Sequence, residues 1–139
     1  MKKVILMSWM LLCGLTMAVA QTGNATEQVE KKGAHIKFDK MTHSFGTFSE
    51  KNPVVSCTFT YTNIGNEPLV INQAIASCGC TVPSYTKDPV QPGATGELKV
   101  TYNGTGKFPG HFKKSITVRT NGVVEMTRLY IEGDMTEGK

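Results

Sequence analysis

The chain has 139 residues, of which 40% are hydrophobic and 19% charged, so it holds enough apolar material for one core and does not resemble a disordered chain. The formal net charge is +4, and it falls to +2 when the two lysines at positions 2 and 3 are set aside. So small a surplus, with no dense basic run, argues against a nucleic-acid-binding phosphate track.

The first twenty residues predict a cleavable signal peptide. Two lysines at the start are followed by an apolar stretch over residues 4–15, and Ala18 and Ala20 are the small residues that precede the cleavage point. The apolar stretch is shorter than the roughly 20 residues that cross a bilayer. We therefore expect a periplasmic or secreted protein with no membrane span after cleavage. Lipidation at Cys13 is the alternative, and it would anchor the protein to a membrane.

Three further segments follow the leader. Residues 21–34 are polar and lack periodicity, which predicts a flexible N-terminal segment. Residues 35–134 show period-two patterning and are expected to form one domain, and residues 135–139 are a short C-terminal tail.

About seven short strands are predicted in this domain. The clearest is 54–63, where Cys57, Phe59 and Tyr61 point to one face and serines and threonines to the other. The remaining predicted strands are 35–39, 44–48, 69–77, 97–102, 112–120 and 123–132. Prolines between the predicted strands 69–77 and 97–102 predict an irregular stretch, and Asn121-Gly122 predicts a type I′ hairpin turn. The pattern predicts an all-β fold, a single immunoglobulin-like antiparallel β-sandwich.

Several blocks of the chain resemble one bacterial family, called domain of unknown function 1573. The blocks are His43-Ser44-Phe45-Gly46-Thr47, Phe59-Thr60-Tyr61-Thr62-Asn63, Ser77-Cys78-Gly79-Cys80-Thr81, Pro92-Gly93 and Ser115-Ile116-Thr117-Val118. The resemblance covers roughly residues 36–133, and its specific part is the Ser-Cys-Gly-Cys-Thr block followed by Pro-Gly. It implies an extracytoplasmic immunoglobulin-like domain, similar to the major sperm protein type, and supplies no activity, substrate or partner.

The chain departs from that family at two places. Cys57 stands where the family often has histidine, which alters any cluster that this strand position completes. The familiar Asp-Phe-Gly reads Ser44-Phe45-Gly46 here.

Three cysteines remain after cleavage, Cys57, Cys78 and Cys80, an odd number for an exported protein. In an oxidising compartment a disulfide is the first expectation. Residues two apart in a flat strand are separated by roughly 6.6 Å, the upper edge of disulfide geometry, so a Cys78–Cys80 bond needs a bend at Gly79 and would be easily reduced. Cys57 bonded to Cys78 or to Cys80 is the alternative, and the sequence leaves the choice open.

The same sulfur atoms support a second hypothesis, a soft-metal site. Two thiols two residues apart suit Cu(I), with Cys57 as a third sulfur and His43 or His111 as a nitrogen ligand. Zinc is less favoured because the Cys-x₂-Cys spacing is absent. Unpaired thiols with no chemistry are the third possibility, and we otherwise expect no cofactor.

A glycine-rich segment near residue 110 combines basic and aromatic side chains. Loops at one end of a sandwich often carry recognition, so we predict a partner-contacting loop there, against the plainer alternative of a solvated loop. Its candidate contact residues are Lys107, Phe108, His111, Phe112 and Lys113.

Two hypotheses on function follow. The first is a non-catalytic protein-interaction or structural module of the cell envelope, monomeric, whose loops or edge strands contact another envelope protein. The alternative is a copper-binding or thiol-redox protein centred on Cys78 and Cys80. The sequence contains no Gly-x-Ser-x-Gly elbow, His-Glu-x-x-His pair or phosphate loop, so we do not expect an enzyme.

Overall fold

The structure, a computed structural model, describes residues 32–139. The predicted signal peptide, Cys13 and most of the predicted flexible segment lie outside these residues. The described part contains eight strands and no helix, and hence no helix that is long and apolar enough to span a membrane. The strands are β1 (Ile36–Phe38), β2 (Thr42–Ser49), β3 (Val54–Asn63), β4 (Ile71–Ala76), β5 (Thr81–Tyr85), β6 (Thr95–Asn103), β7 (Gly110–Thr120) and β8 (Met126–Thr136).

The strands form two four-stranded sheets that face each other. One sheet has the order β1-β3-β6-β5 and the other β2-β8-β7-β4. All neighbours are antiparallel except β2 and β8, which run parallel, with Thr42 opposite Tyr130 and Ser49 opposite Thr136. The predicted all-β sandwich is confirmed, with one parallel pair added to it.

The core lies between the sheets and is built from alternate residues of each strand. On β3, Cys57, Phe59 and Tyr61 point inward, and Leu98 and Val100 of β6 lie beside them. Because side chains of a strand alternate between its faces, the serine and the threonines of β3 are left on the outer face, while Asn63 at the end of the strand is buried. Burial of these apolar side chains is the main force that holds the sheets together.

One strand, β5, was not predicted, and it occupies the stretch that the sequence predicted to be irregular. Its Pro83 has no N–H, yet it lies on an edge strand opposite Val100 of β6. Proline is tolerated on an edge strand because one side of such a strand has no neighbouring strand, so a position without an N–H group costs no hydrogen bond there. The prolines were therefore misinterpreted as excluding a strand.

The sandwich extends beyond the predicted boundaries at both ends. Ala34 is 3% exposed, and the Gly33 N–H donates to the Asn66 Oδ1 atom at 2.7 Å, so the end of the predicted flexible segment is packed. At the other terminus Met135 is 2% exposed and β8 continues to Thr136. The prediction that placed Ala34 and Met135 outside the domain was wrong.

The type I′ turn predicted at Asn121-Gly122 does not form, because neither residue has a positive φ. The loop is longer, and the Thr120 N–H donates to the carbonyl of Glu125. Asn121 instead braces a neighbouring segment: its Oδ1 accepts from the Val70 N–H at 2.8 Å and its Nδ2 donates to the Pro68 carbonyl at 3.0 Å.

Candidate functional site

Two of the predicted site segments lie at the same end of the sandwich. The chain leaves β4 at Ala76 and enters β5 at Thr81, so residues 77–80 cross from one sheet to the other. The segment 104–109 crosses back between β6 and β7, and the Asn103 N–H that precedes it donates to the Cys80 carbonyl at 2.7 Å. We call these two connections together the disulfide end.

The Cys78-Gly79-Cys80 connection is a tight turn between strands of different sheets, closed by a disulfide between its two cysteines; we call this turn the hairpin. Their Cα atoms are 5.2 Å apart, shorter than the separation in a flat strand, so the chain bends here as the sequence required. The bend does not use a positive φ at Gly79, and a Cβ placed there would meet nothing within 4 Å. A side chain at position 79 would therefore meet no residue other than its two neighbours in the chain.

Backbone hydrogen bonds hold this hairpin from both sheets. The Ser77 N–H donates to the Ser115 carbonyl at 2.9 Å, and the Thr81 N–H donates to the Cys78 carbonyl at 3.1 Å. The Ser115 N–H also donates to the Ser77 Oγ atom at 3.2 Å. The roles of Ser77 and Thr81 were not predicted, because each depends on a contact that the sequence pattern does not reveal.

Both sulfur atoms lie beside a polar hydrogen. The Cys80 N–H donates to the Cys78 Sγ atom at 3.2 Å, and the Thr81 hydroxyl oxygen lies 3.8 Å from the Cys80 Sγ atom. Cys80 packs against the core and Thr81 is 3% exposed. Hydrogen-bond donors such as this N–H and this hydroxyl stabilise a thiolate more than a neutral thiol.

The third cysteine lies apart from this pair. Cys57 is a buried free thiol on β3, opposite Val100 of β6, which in turn lies opposite Pro83 of β5. Two strand spacings separate it from β5 by about 10 Å, so the alternative pairing of Cys57 with Cys78 or Cys80 is not the one that the structure shows. Burial raises the pKa of Cys57 to about 11, while nearby Lys40 opposes that shift.

The predicted metal ligands are not brought together. His43 lies on β2, at the edge of its sheet opposite to β4, where its Nδ1 accepts a hydrogen bond from the Lys40 ammonium at 2.8 Å. Its ring packs edge-on against Phe45 at 4.8 Å. Burial and then the charge of Lys40 lower the pKa of His43. Within residues 32–139 no three His, Cys, Asp or Glu side chains converge as a metal site would require.

The loop residues that were predicted as one contact surface divide into two groups. Phe108 is 95% exposed, whereas Phe112 is 9% exposed and stacks on the Tyr102 ring with 3.9 Å between centroids. Because β7 begins at Gly110, Phe112 is a core residue at the base of the loop, and its prediction as a contact residue was wrong. Burial raises the pKa of Tyr102.

His111 and Lys113 of that set lie on the outer face of β7, whereas Lys107 lies in the loop that precedes this strand. His111 pairs with Asp134 at 3.0 Å, with both side chains more than half exposed. Lys113 lies 3.6 Å from Glu132 and its ammonium sits over the Tyr130 ring at 5.1 Å. Exposed pairs of this kind contribute little to stability.

The raised pKa of Cys57 makes a prediction about alkaline stability. Above about pH 9 the unfolded chain releases the thiol proton while the folded chain retains it until about pH 11, so stability falls as the pH rises through this window. We expect the urea midpoint of the unmodified protein to fall more steeply between about pH 8 and about pH 10.5 than that of Cys57→Ala.

Tyr61 and Tyr102, whose pKa values burial also raises, are present in both proteins and cancel from this comparison. Parallel pH profiles for the two proteins would show that the Cys57 thiol is not held neutral by the core.

Comparisons with known proteins place the chain in a family and a fold. The model of the family "Protein of unknown function (DUF1573)" matches residues 36–135. No curated protein matches the chain. A protein of unknown function from Porphyromonas gingivalis has a TM-score of 0.63 at 11% identity, over 80% of this chain and 51% of that one. The chain thus spans about half the length of that protein.

Two further solved structures share the architecture. The PapD-like (ASH) domain 7 of human CEP192 has a TM-score of 0.60 at 9% identity, over 75% of this chain and 87% of that one. The periplasmic chaperone SfaE has a TM-score of 0.51 at 10% identity, over 76% and 59%. At such identities the likeness shows the fold alone, an immunoglobulin-like β-sandwich. The match over residues 36–135 shows more: the chain belongs to the family "Protein of unknown function (DUF1573)".

Proposed function

We propose that the protein is an exported, non-catalytic module of the cell envelope that binds another envelope protein through its disulfide end. Export is supported by the first twenty residues, which combine a basic start, an apolar stretch and small residues before the cleavage point. The binding role is supported by the geometry of the loop at residues 104–109.

The observation that carries the proposal is the position of Phe108. It is the most exposed large hydrophobic side chain of the described residues, at 95%, and the next is Val123 at 61%. A phenylalanine left in water forgoes about 1.5–3 kcal/mol of burial free energy, which a partner with an apolar pocket recovers.

The loop that presents Phe108 is braced at its base. The Gly104 N–H donates to the Pro53 carbonyl at 2.9 Å, and the Lys107 N–H donates to the Gly104 carbonyl at 2.9 Å. The Thr105 N–H donates to the Asn103 Oδ1 atom at 2.9 Å. A preordered loop loses less conformational entropy when it binds, which favours recognition by the exposed ring.

The surroundings of Phe108 define the partner's chemistry. Lys107 precedes it and belongs to neither ion pair of the described residues, whereas Lys113 on β7 is paired with Glu132, so Lys107 is the charge next to the apolar tip. We expect the partner to combine an apolar pocket with acidic residues at its rim.

Site-specific photocrosslinking in the native host tests this proposal. A photoreactive phenylalanine analogue replaces Phe108 in one variant and Val123, in the loop at the other end of the sandwich, in the control. We expect one discrete adduct from position 108, reduced at least about tenfold at position 123. Equal adducts from both positions, or none from 108, would refute binding through the disulfide end.

A further inference from the structure

The geometry points to the Cys78–Cys80 disulfide as an exchange-active site that accepts two electrons from a thiol pair of another molecule. Cys78 is the sulfur that is attacked and Cys80 is the leaving thiolate. This activity is separate from the binding proposed for Phe108.

The disulfide adds little to the fold. The stabilisation that a disulfide provides through the unfolded chain grows with the loop it closes, and this loop has a sequence separation of 2. Ser77, Thr81 and Asn103 already fix both sides of the hairpin through backbone hydrogen bonds. A bond with so small a structural effect can open and close without loss of the fold.

The environment distinguishes the two sulfurs. Both residues are partly buried, but Cys80 packs against the core whereas Cys78 does not belong to that packing. An incoming thiolate therefore reaches the Cys78 Sγ atom more readily.

The hydrogen-bond donors beside the two sulfurs also favour attack at Cys78 with Cys80 as the leaving group. When Cys80 leaves as a thiolate, the buried Thr81 hydroxyl, 3.8 Å away, can donate to it. In the reduced hairpin the Cys80 N–H, 3.2 Å from the Cys78 Sγ atom, favours the Cys78 thiolate, which is the form that reacts in the reverse reaction.

The reaction balances as thiol–disulfide exchange. A thiolate of the donor attacks the Cys78 Sγ atom, the Sγ–Sγ bond breaks, and Cys80 takes up a proton. The second thiol of the donor loses its proton, attacks the mixed disulfide and releases the Cys78 thiolate, which is then protonated. The donor dithiol becomes a disulfide and the hairpin becomes two thiols. Cys57, buried and two strands from β5, takes no part.

The test uses the processed protein in a Cys57→Ala background with glutathione as the probe. In about 10 mM reduced glutathione near pH 7.5, we expect the hairpin to become reduced while the circular dichroism spectrum is unchanged, as alkylation and mass spectrometry would show. A hairpin that stays oxidised until the protein is denatured would overturn the proposal.

Single-cysteine variants test the assignment of roles. With oxidised glutathione, Cys80→Ser is expected to form a mixed disulfide on Cys78 at least about tenfold faster than Cys78→Ser forms one on Cys80. Thr81→Val is expected to slow reduction of the native hairpin about threefold or more and to leave capture by Cys78 in the Cys80→Ser variant unchanged. Equal capture rates at the two cysteines would overturn the assignment.

The two proposals fail separately. The Phe108→Ser variant is expected to bind the photocrosslinked partner no longer. Its rate of reduction by glutathione is expected to stay within about twofold of the unmodified protein's rate, because residue 108 lies outside the hairpin. Loss of the glutathione reaction in this variant would contradict the independence of the two sites.

Discussion

Replacement of Asn63 by alanine is expected to destabilise the protein by about 3 kcal/mol. Asn63 is 0% exposed at the end of β3, and its amide makes four hydrogen bonds. Its Oδ1 accepts from the N–H groups of His35, at 3.3 Å, and Gly65, at 3.0 Å. Its Nδ2 donates to the carbonyls of Glu67, at 2.7 Å, and Val90, at 2.9 Å.

Alanine removes the side-chain amide that pairs with all four backbone groups. A group that stays unsatisfied costs about 1–3 kcal/mol, and only the bond to the Val90 carbonyl is fully buried, so water compensates part of the loss at the three part-buried groups and the total stays near about 3 kcal/mol. Asn121 supplies a matched control because its amide also joins two backbone groups, but it is exposed. Water replaces lost bonds at the surface, so Asn121→Ala is expected to cost about 1 kcal/mol or less. Urea unfolding measures both values, and equal losses would contradict the role of burial at Asn63.

Replacement of Phe112 by alanine is expected to cost about 3–4 kcal/mol. The ring stacks on Tyr102 at an interplanar angle of 5° and meets Phe48 edge-on with 5.9 Å between centroids. Its removal takes away buried apolar area and leaves a cavity at the base of the loop that carries Phe108.

Phe108→Ala is the matched control for this variant. Its ring is 95% exposed, so its loss is expected to change the free energy of unfolding by no more than about 0.5 kcal/mol. Thermal or urea unfolding of the two variants measures both changes in the free energy of unfolding. A large loss at Phe108, or a negligible one at Phe112, would show that the loop is anchored differently from the arrangement described above.

Most strands of the sandwich could be predicted because apolar and polar side chains alternate along them. The run from Val54 to Asn63 alternates without interruption, and its inward residues are the buried ones. β5 was missed because Pro83 argues against a strand unless the strand is known to lie at an edge. Edge position is a property of the whole sheet order, which local sequence does not contain.

The site was predicted less completely, for a similar reason. Phe108 and Phe112 are chemically identical and four residues apart, and only the start of β7 at Gly110 places one in water and the other in the core. The Asn121-Gly122 pair has the composition of a tight turn, but Asn121 is used instead to brace Val70. Each outcome depends on tertiary contacts that override local preference.

The choice among the three cysteines could not be made from spacing alone. Both pairings were chemically reasonable, and the decision depends on β6, which lies between Cys57 and the strand that begins after Cys80. That sheet order follows from the whole chain. The sequence did place Cys78 and Cys80 at the end of a strand, which is where the structure has them.

Disulfide mapping of the protein purified from its native envelope tests the central claim most directly. Trypsin releases residues 52–87 as one peptide that contains Cys57, Cys78 and Cys80. After alkylation under denaturing, non-reducing conditions, a single added group on Cys57 and an intact bond between Cys78 and Cys80 are predicted. An alkyl group on Cys78 or Cys80, with Cys57 oxidised, would contradict both the arrangement of the disulfide end and the exchange chemistry assigned to it.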